Sequence, residues 1–265
     1  MHTIKKHLRI MGCYFRLNLA SALEYRASFL MQSFGMALSN ASFIFFWWVA
    51  FSQIGGRIAG YSFEDVMFIW AVASSSFGLS YVLFSNVSRL TQLIVTGELD
   101  TFLLQPCNVL VNVACARTTL SAYGDLLYGL VLMGIVHRGN GAAWLAFSAA
   151  VLVGALVFTA ISLCAHTCSF YFGDASSIAG MATEFSINFS IYPERIYAPA
   201  VRALMYSVLP IALVAHLPLR LTYAFSPWLA LAGACGAVLY CALAAWFFFR
   251  GLRRYESGNA IVTRM

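Results

Sequence analysis

The chain has 265 residues, is 61% hydrophobic and 10% charged, and carries a formal net charge of +6. Soluble domains carry roughly 25% charged residues, so water is not this chain's main solvent. Several apolar runs approach the ~20 residues that let a helix cross ~30 Å of hydrocarbon. That excludes a soluble globular fold and, equally, a β-barrel of short alternating strands.

In chain order, residues 1–26 predict an interfacial amphipathic helix. Ile4, Leu8, Met11, Phe15 and Leu19 recur at helical spacing, with Lys5, Lys6, Arg9 and Arg16 elsewhere around the axis. Such a helix lies in the headgroup plane. Residues 27–265 read as a single all-α integral membrane domain of six transmembrane helices. The spans fall at about 27–51, 66–89, 109–136, 143–170, 176–192 and 227–249. The first closes on Phe43, Phe45, Phe46, Trp47 and Trp48, residue types that suit a membrane interface. The fifth is short, reaching only ~25 Å at 1.5 Å per residue. Section 193–226 is punctuated by Pro193, Pro199, Pro210 and Pro218. It predicts re-entrant helices, since irregular backbone at membrane depth must be buried in protein or face a watery cavity.

With six crossings both termini share one side. That side collects Lys5, Lys6, Arg9, Arg16, Arg26, Arg89, Arg250, Arg253, Arg254 and Arg264, against Arg57, Arg138, Arg195, Arg202 and Arg220 opposite. The positive-inside rule places both termini in the cytoplasm. The positive charge therefore serves topology, and no nucleic-acid partner is expected. The seven cysteines lie in or beside apolar segments, so neither disulfides nor a metal site are expected. No removable signal peptide is expected either.

The link between the second and third spans, residues 97–108, reads G-E-L-D-T-F-L-L-Q-P-C-N. Gly97 is a natural helix stop and Pro106 ends any turn built before it. Between them Leu99, Phe102, Leu103 and Leu104 stand beside Glu98 and Asp100. From these residues alone, a turn burying its leucines and a docking knuckle both remain open.

The pattern G-E-L-D-x-x-L-L-x-P-x-N resembles the segment between the second and third spans of ABC-2-type permeases, membrane subunits of ATP-binding-cassette transporters. Tyr192-Pro193, Leu209-Pro210 and Leu217-Pro218 are similar to that family's proline-marked section before its last helix. The tail F-R-G-L-R-R-Y-E-S-G, residues 249–258, resembles the family's ending. The closest likeness is to small six-span permeases without a fused ATPase. The resemblance implies a cytoplasmic coupling helix at about residues 90–106, docking on an ATPase through Gly97, Glu98, Leu99, Asp100, Phe102, Leu103, Leu104 and Pro106. It also implies an exporter in a bacterial inner membrane, with two permeases, identical or homologous, and two ATPase subunits surrounded by lipid. The sequence holds no G-x-x-x-x-G-K-S/T, so ATP and Mg are expected on the partner and no cofactor on this chain.

Ionisable residues inside spans are costly and have either packing or functional roles. Arg117, Asp125 and His166 are intramembrane polar candidates. Asn40, Ser75, Ser76, Ser80, Glu184 and Asn188 are candidates for a substrate pathway, because the resembled family forms its dimer interface from the first, second and fifth helices. An ion-coupled carrier using Asp125, His166 and Glu184 is an alternative, as is a non-transporting scaffold. A G-x-S-x-G elbow and an H-E-x-x-H motif are both missing, which argues against an intramembrane enzyme.

Overall fold

The computed structural model describes residues 2–136 and 141–256. The side chain of Ile4, Arg138 with most of the short turn expected at residues 137–142, and the tail beyond Glu256 with Arg264 lie outside the described residues. Helix α1 (His2–Glu24) is parted from α2 (Arg26–Ile54) by Tyr25 alone. Helix α3 (Phe63–Phe84) starts on a capping box: Asp65 N donates to Ser62 Oγ at 3.2 Å, and Ser62 N to the Asp65 carboxylate at 2.7 Å. A 3₁₀ turn, Ser85–Arg89, leads into α4 (Leu90–Val95), followed by α5 (Asp100–Leu103), α6 (Val109–Cys115) and α7 (Ala122–Val136). Next come α8 (Gly141–Thr167), α9 (Ser169–Phe172) and α10 (Ser176–Ile191). The proline-rich section holds α11 (Pro199–Tyr206) and α12 (His216–Tyr223), and α13 (Pro227–Leu252) closes the fold. The described residues are all-α, without a named strand.

Among the described residues, four helical stretches are long and apolar enough to cross a membrane: Arg26–Ile54, Phe63–Val95, Gly141–Phe172 and Pro227–Leu252. The third predicted span, 109–136, is not one helix. It breaks between α6 and α7, where residues 116–121 read A-R-T-T-L-S. Neighbouring segments satisfy the backbone freed there. Thr119 N donates to the Tyr81 carbonyl at 3.2 Å, Ser85 Oγ to the Arg117 carbonyl at 3.0 Å, and Ser33 Oγ to the Leu120 carbonyl at 3.0 Å.

Cross-helix contacts set the directions. Ser33 and Asn40 meet Leu120 and Asp125 in the same order, so α2 and α7 run parallel. Gly78 faces Ala122 and Leu126 while Ala71 faces Gly129, so α3 runs against α7. Ser76 abuts Gly154, Ser80 bonds Thr159 and Thr91 approaches His166, so α8 parallels α3. Tyr81 lies beside Thr183, whereas Tyr192, just past α10, meets Trp47 edge-on at the opposite end. Helix α10 therefore opposes α3. Leu156 meets Cys241 and Phe170 meets Gly251, which aligns α13 with α8.

Helix α3 is the axle of this bundle. In its most apolar stretch 78% is buried, against 11% for α2 and 17% for α13. Small residues bring its neighbours close. A Cβ at Gly129 would stand 2.5 Å from the Ala71 carbonyl oxygen, and one at Gly78 would stand 2.6 Å from the Leu126 nitrogen. Trp70 and its neighbours on α3 pack with Trp47, Tyr128, Leu132, Phe147 and Ile191. A second cluster at the α1 end joins Leu90, Leu93, Ile94, Val113 and Phe248.

Candidate functional site

The loop between α4 and α6 is held from inside. Gly97 takes a left-handed φ of 78°, which lets the chain turn out of α4. Leu99 N then donates to the Leu93 carbonyl at 3.0 Å. The Leu99 side chain is 0% exposed and belongs to the cluster of Leu90, Leu93, Ile94 and Phe248. Leu99 therefore stands apart from the other expected docking leucines. Leu104 is 87% exposed and Leu103 40%, with Glu98 and Pro106 also exposed and Phe102 and Asp100 half-buried.

Two distant parts of the chain brace this knuckle. Lys6 Nζ of α1 donates to the Pro106 carbonyl at 3.0 Å, and Asn18 Nδ2 of α1 donates to the Cys115 carbonyl at 3.0 Å. From the tail, Tyr255 packs against Phe170 and its hydroxyl approaches Gly97. Burial first, and then the neighbouring Asp100 carboxylate, push that hydroxyl up to about 12. The two segments read from sequence as separate motifs, 97–108 and the tail, are thus in contact. Lys6 and Tyr255 were missed as members of this site, since contact with the loop leaves no periodic trace in their own segments.

The polar residues of the spans separate into different settings. Asn40 Nδ2 donates to the buried Asp125 carboxylate at 2.6 Å, and Ser74 Oγ donates to the Asp125 carbonyl at 2.7 Å. This joins α2, α3 and α7. Ser75 and Ser76 are fully buried against Gly129 and Gly154, and Ser80 bonds Thr159 at 2.8 Å. His166 is buried at the α1 end, where the Thr91 hydroxyl lies 2.8 Å from both His166 Nδ1 and Ser169 Oγ. Arg117 is exposed in the break between α6 and α7. Glu184 and Asn188 share an exposed face of α10, the Asn188 amide donating to the Glu184 carbonyl at 2.9 Å. Asp125, His166 and Glu184 therefore each have different surroundings.

The opposite end carries a charged latch that the sequence reading passed over. Glu194, 3% exposed, is paired with Arg220 of α12 and accepts from the Tyr206 hydroxyl of α11 at 2.6 Å. Asp65 of the α3 cap accepts from Tyr223 of α12, and Arg195 lies over the Tyr61 ring at 5.6 Å. Burial works to raise the Glu194 pKa, but the hydrogen bonds and charge of Tyr206 and Arg220 hold it below the ordinary carboxylate range. Arg220 had been read only as a topology charge. The one hint of its partner is that Glu194 is the single acid in section 193–226.

The arrangement is a membrane bundle with a braced, outward-pointing knuckle at the end that holds α1 and the tail. No curated protein and no solved structure matches the chain. The family described as ABC-2 family transporter protein matches residues 37–259. The chain therefore belongs to that family: it is a multi-pass membrane permease of an ATP-binding-cassette transporter, a transport component that works with an ATPase subunit.

Proposed function

We propose that this permease is an exporter subunit driven by a separate ATPase that docks on residues 97–108 from the cytoplasm. ATP and Mg bind that partner, which is present in two copies, and two permeases, identical or homologous, form the working pair in a bacterial inner membrane. The carrying observation is the division of labour within the knuckle. Leu103 and Leu104 project outward while Leu99 anchors the same turn in the core. A lever needs both a contact surface and a rigid attachment, and a rigid-body shift at one is then transmitted to α3 and α6 by the other.

The alternating directions of α2, α3, α7, α8, α10 and α13 support a reading of six crossings. The broken pair α6 and α7 makes the third, and α10, at ~24 Å from 1.5 Å per residue, makes a thin fifth. Both termini then lie with the knuckle on the cytoplasmic side, and section 193–226 is re-entrant from the other. The pathway runs at the permease pair's interface past the exposed α10 face of Glu184 and Asn188 and the sparsely buried α2. Ser75, Ser76 and Ser80 serve close packing of α3.

Replacing Leu103 and Leu104 by Asp is expected to abolish co-purification with the cognate ATPase while leaving the thermal unfolding of the permease unchanged. Retention of the ATPase by that folded variant would refute docking at this site.

A further inference from the structure

At the end remote from the knuckle, α8 and α13 part. Nearer the knuckle they touch, with Cys241 Sγ 3.7 Å from the Leu156 carbonyl oxygen, and Gly251 of α13 packs on Phe170 of α9 just past the end of α8. Beyond that contact α8 offers Ala146, Ala149 and Ala150, and α13 offers Gly233 and Ala234. These side chains are too short to close the gap, and a cavity of about 480 Å³ remains. Helix α12 roofs it, with Leu217 lying so close to Gly233 that a Cβ there would collide. Phe68 of α3 stands among the lining residues.

We propose that this groove binds one acyl chain of a bilayer phospholipid in the leaflet opposite the knuckle. The two helices that bound the groove carry Leu145, Leu152, Trp228 and Leu231, all more than half exposed, as suits surfaces that face hydrocarbon rather than water. Among the described residues the walls carry no charged side chain, and Thr222 is their one polar residue. A headgroup or charged solute therefore finds no partner inside. The α8 wall from Ala143 to Val153 extends ~15 Å at 1.5 Å per residue. That is half of the ~30 Å hydrocarbon thickness, the depth of one leaflet. Left empty, the lining atoms would lack contact partners. Water would find too few polar groups to replace the bonds it loses. Wall chemistry and depth both fit a hydrocarbon chain.

The test uses the purified full-length permease, without ATPase, in vesicles of phosphatidylcholine that carry a diazirine midway along one acyl chain. After irradiation, label is expected to concentrate on peptides covering residues 143–153 and 230–234. Filling the groove with Ala146→Phe and Ala234→Phe, two exposed positions, is expected to remove that concentration. Ala242→Phe, also exposed on α13, is expected to leave it intact. Ala146→Trp alone provides a second filling should the double variant not fold. Equal labelling of the groove peptides and of exposed α2, or undiminished labelling in a folded filled variant, would overturn the proposal. Because no ATPase takes part, such a failure would leave the docking proposal standing.

Discussion

Glu194 and Arg220 form an ion pair in which only one partner is buried. The acid is almost wholly removed from solvent while the arginine is half exposed, so losing the arginine leaves a carboxylate with little access to water. The cost of such an orphaned group is on the order of 1–3 kcal/mol. Its folded pKa lies below the ordinary carboxylate value of about 4.3. The pair therefore adds stability that is complete above that ordinary value and is lost as pH falls through the depressed one. Glu194→Gln is accordingly expected to unfold at lower temperature than the parent at pH 7, with the gap closing as acid titrates Glu194. A gap independent of pH would show that the carboxylate charge does not stabilise this end. Glu184 differs, since it is exposed on α10 and makes no ion pair among the described residues. If it faces the pathway, Glu184→Gln will lower substrate-stimulated ATP hydrolysis in the assembled transporter. An unchanged rate would return Glu184 to a role in packing or lipid contact.

At the scale of elements, the contact of α3 with α7 depends on missing side chains. Gly129 lets the α7 backbone rest on Ala71 and Ser75, so a β-branched residue there must push two helices apart. Overpacking of this kind costs about 1–3 kcal/mol. Gly129→Val is expected to lower the unfolding temperature in detergent. Gly134→Ala, whose nearest new neighbour would be Trp144 at 3.9 Å, is expected to change it little. Equal effects would show that the close approach is not what holds α3 and α7 together. The boundaries of α10 and α13 were legible in the sequence because Pro193 and Pro227 punctuate them and each helix keeps its own backbone bonds. The break at 116–121 was not legible. It contains neither glycine nor proline, and its orphaned backbone groups are met by Ser33, Tyr81 and Ser85, partners that no local pattern reveals. Ser75 and Ser76 were candidates for a pathway because they lie on the second span, which the resembled family places at its interface, and their burial against Gly129 and Gly154 could be read only from the packed helices.

For the whole molecule, the arrangement gathers α1, the knuckle and Tyr255 at one end and the Glu194 latch at the other. Positive charge divides accordingly: Lys5, Lys6, Arg9, Arg250, Arg253 and Arg254 belong to the α1 and tail segments, whereas Arg57, Arg195, Arg202 and Arg220 belong to the connecting segments and short helices at the latch end. This polarity was legible from charge counting, because topology rules act on sequence directly. Which leucine of the knuckle anchors and which ones project was not, since Leu99, Leu103 and Leu104 are chemically equal and only the core cluster tells them apart. The polarity and that distinction together make the central claim testable at two positions. Leu104, 87% exposed at the knuckle, and Val208, 64% exposed in the proline-rich section, are comparable apolar sites on segments assigned to opposite sides. The most direct measurement installs a photo-crosslinking amino acid at each position in turn, in cells that also make the cognate ATPase. The account predicts a permease–ATPase adduct from position 104 and none from position 208; an adduct from 208 with none from 104 would contradict it.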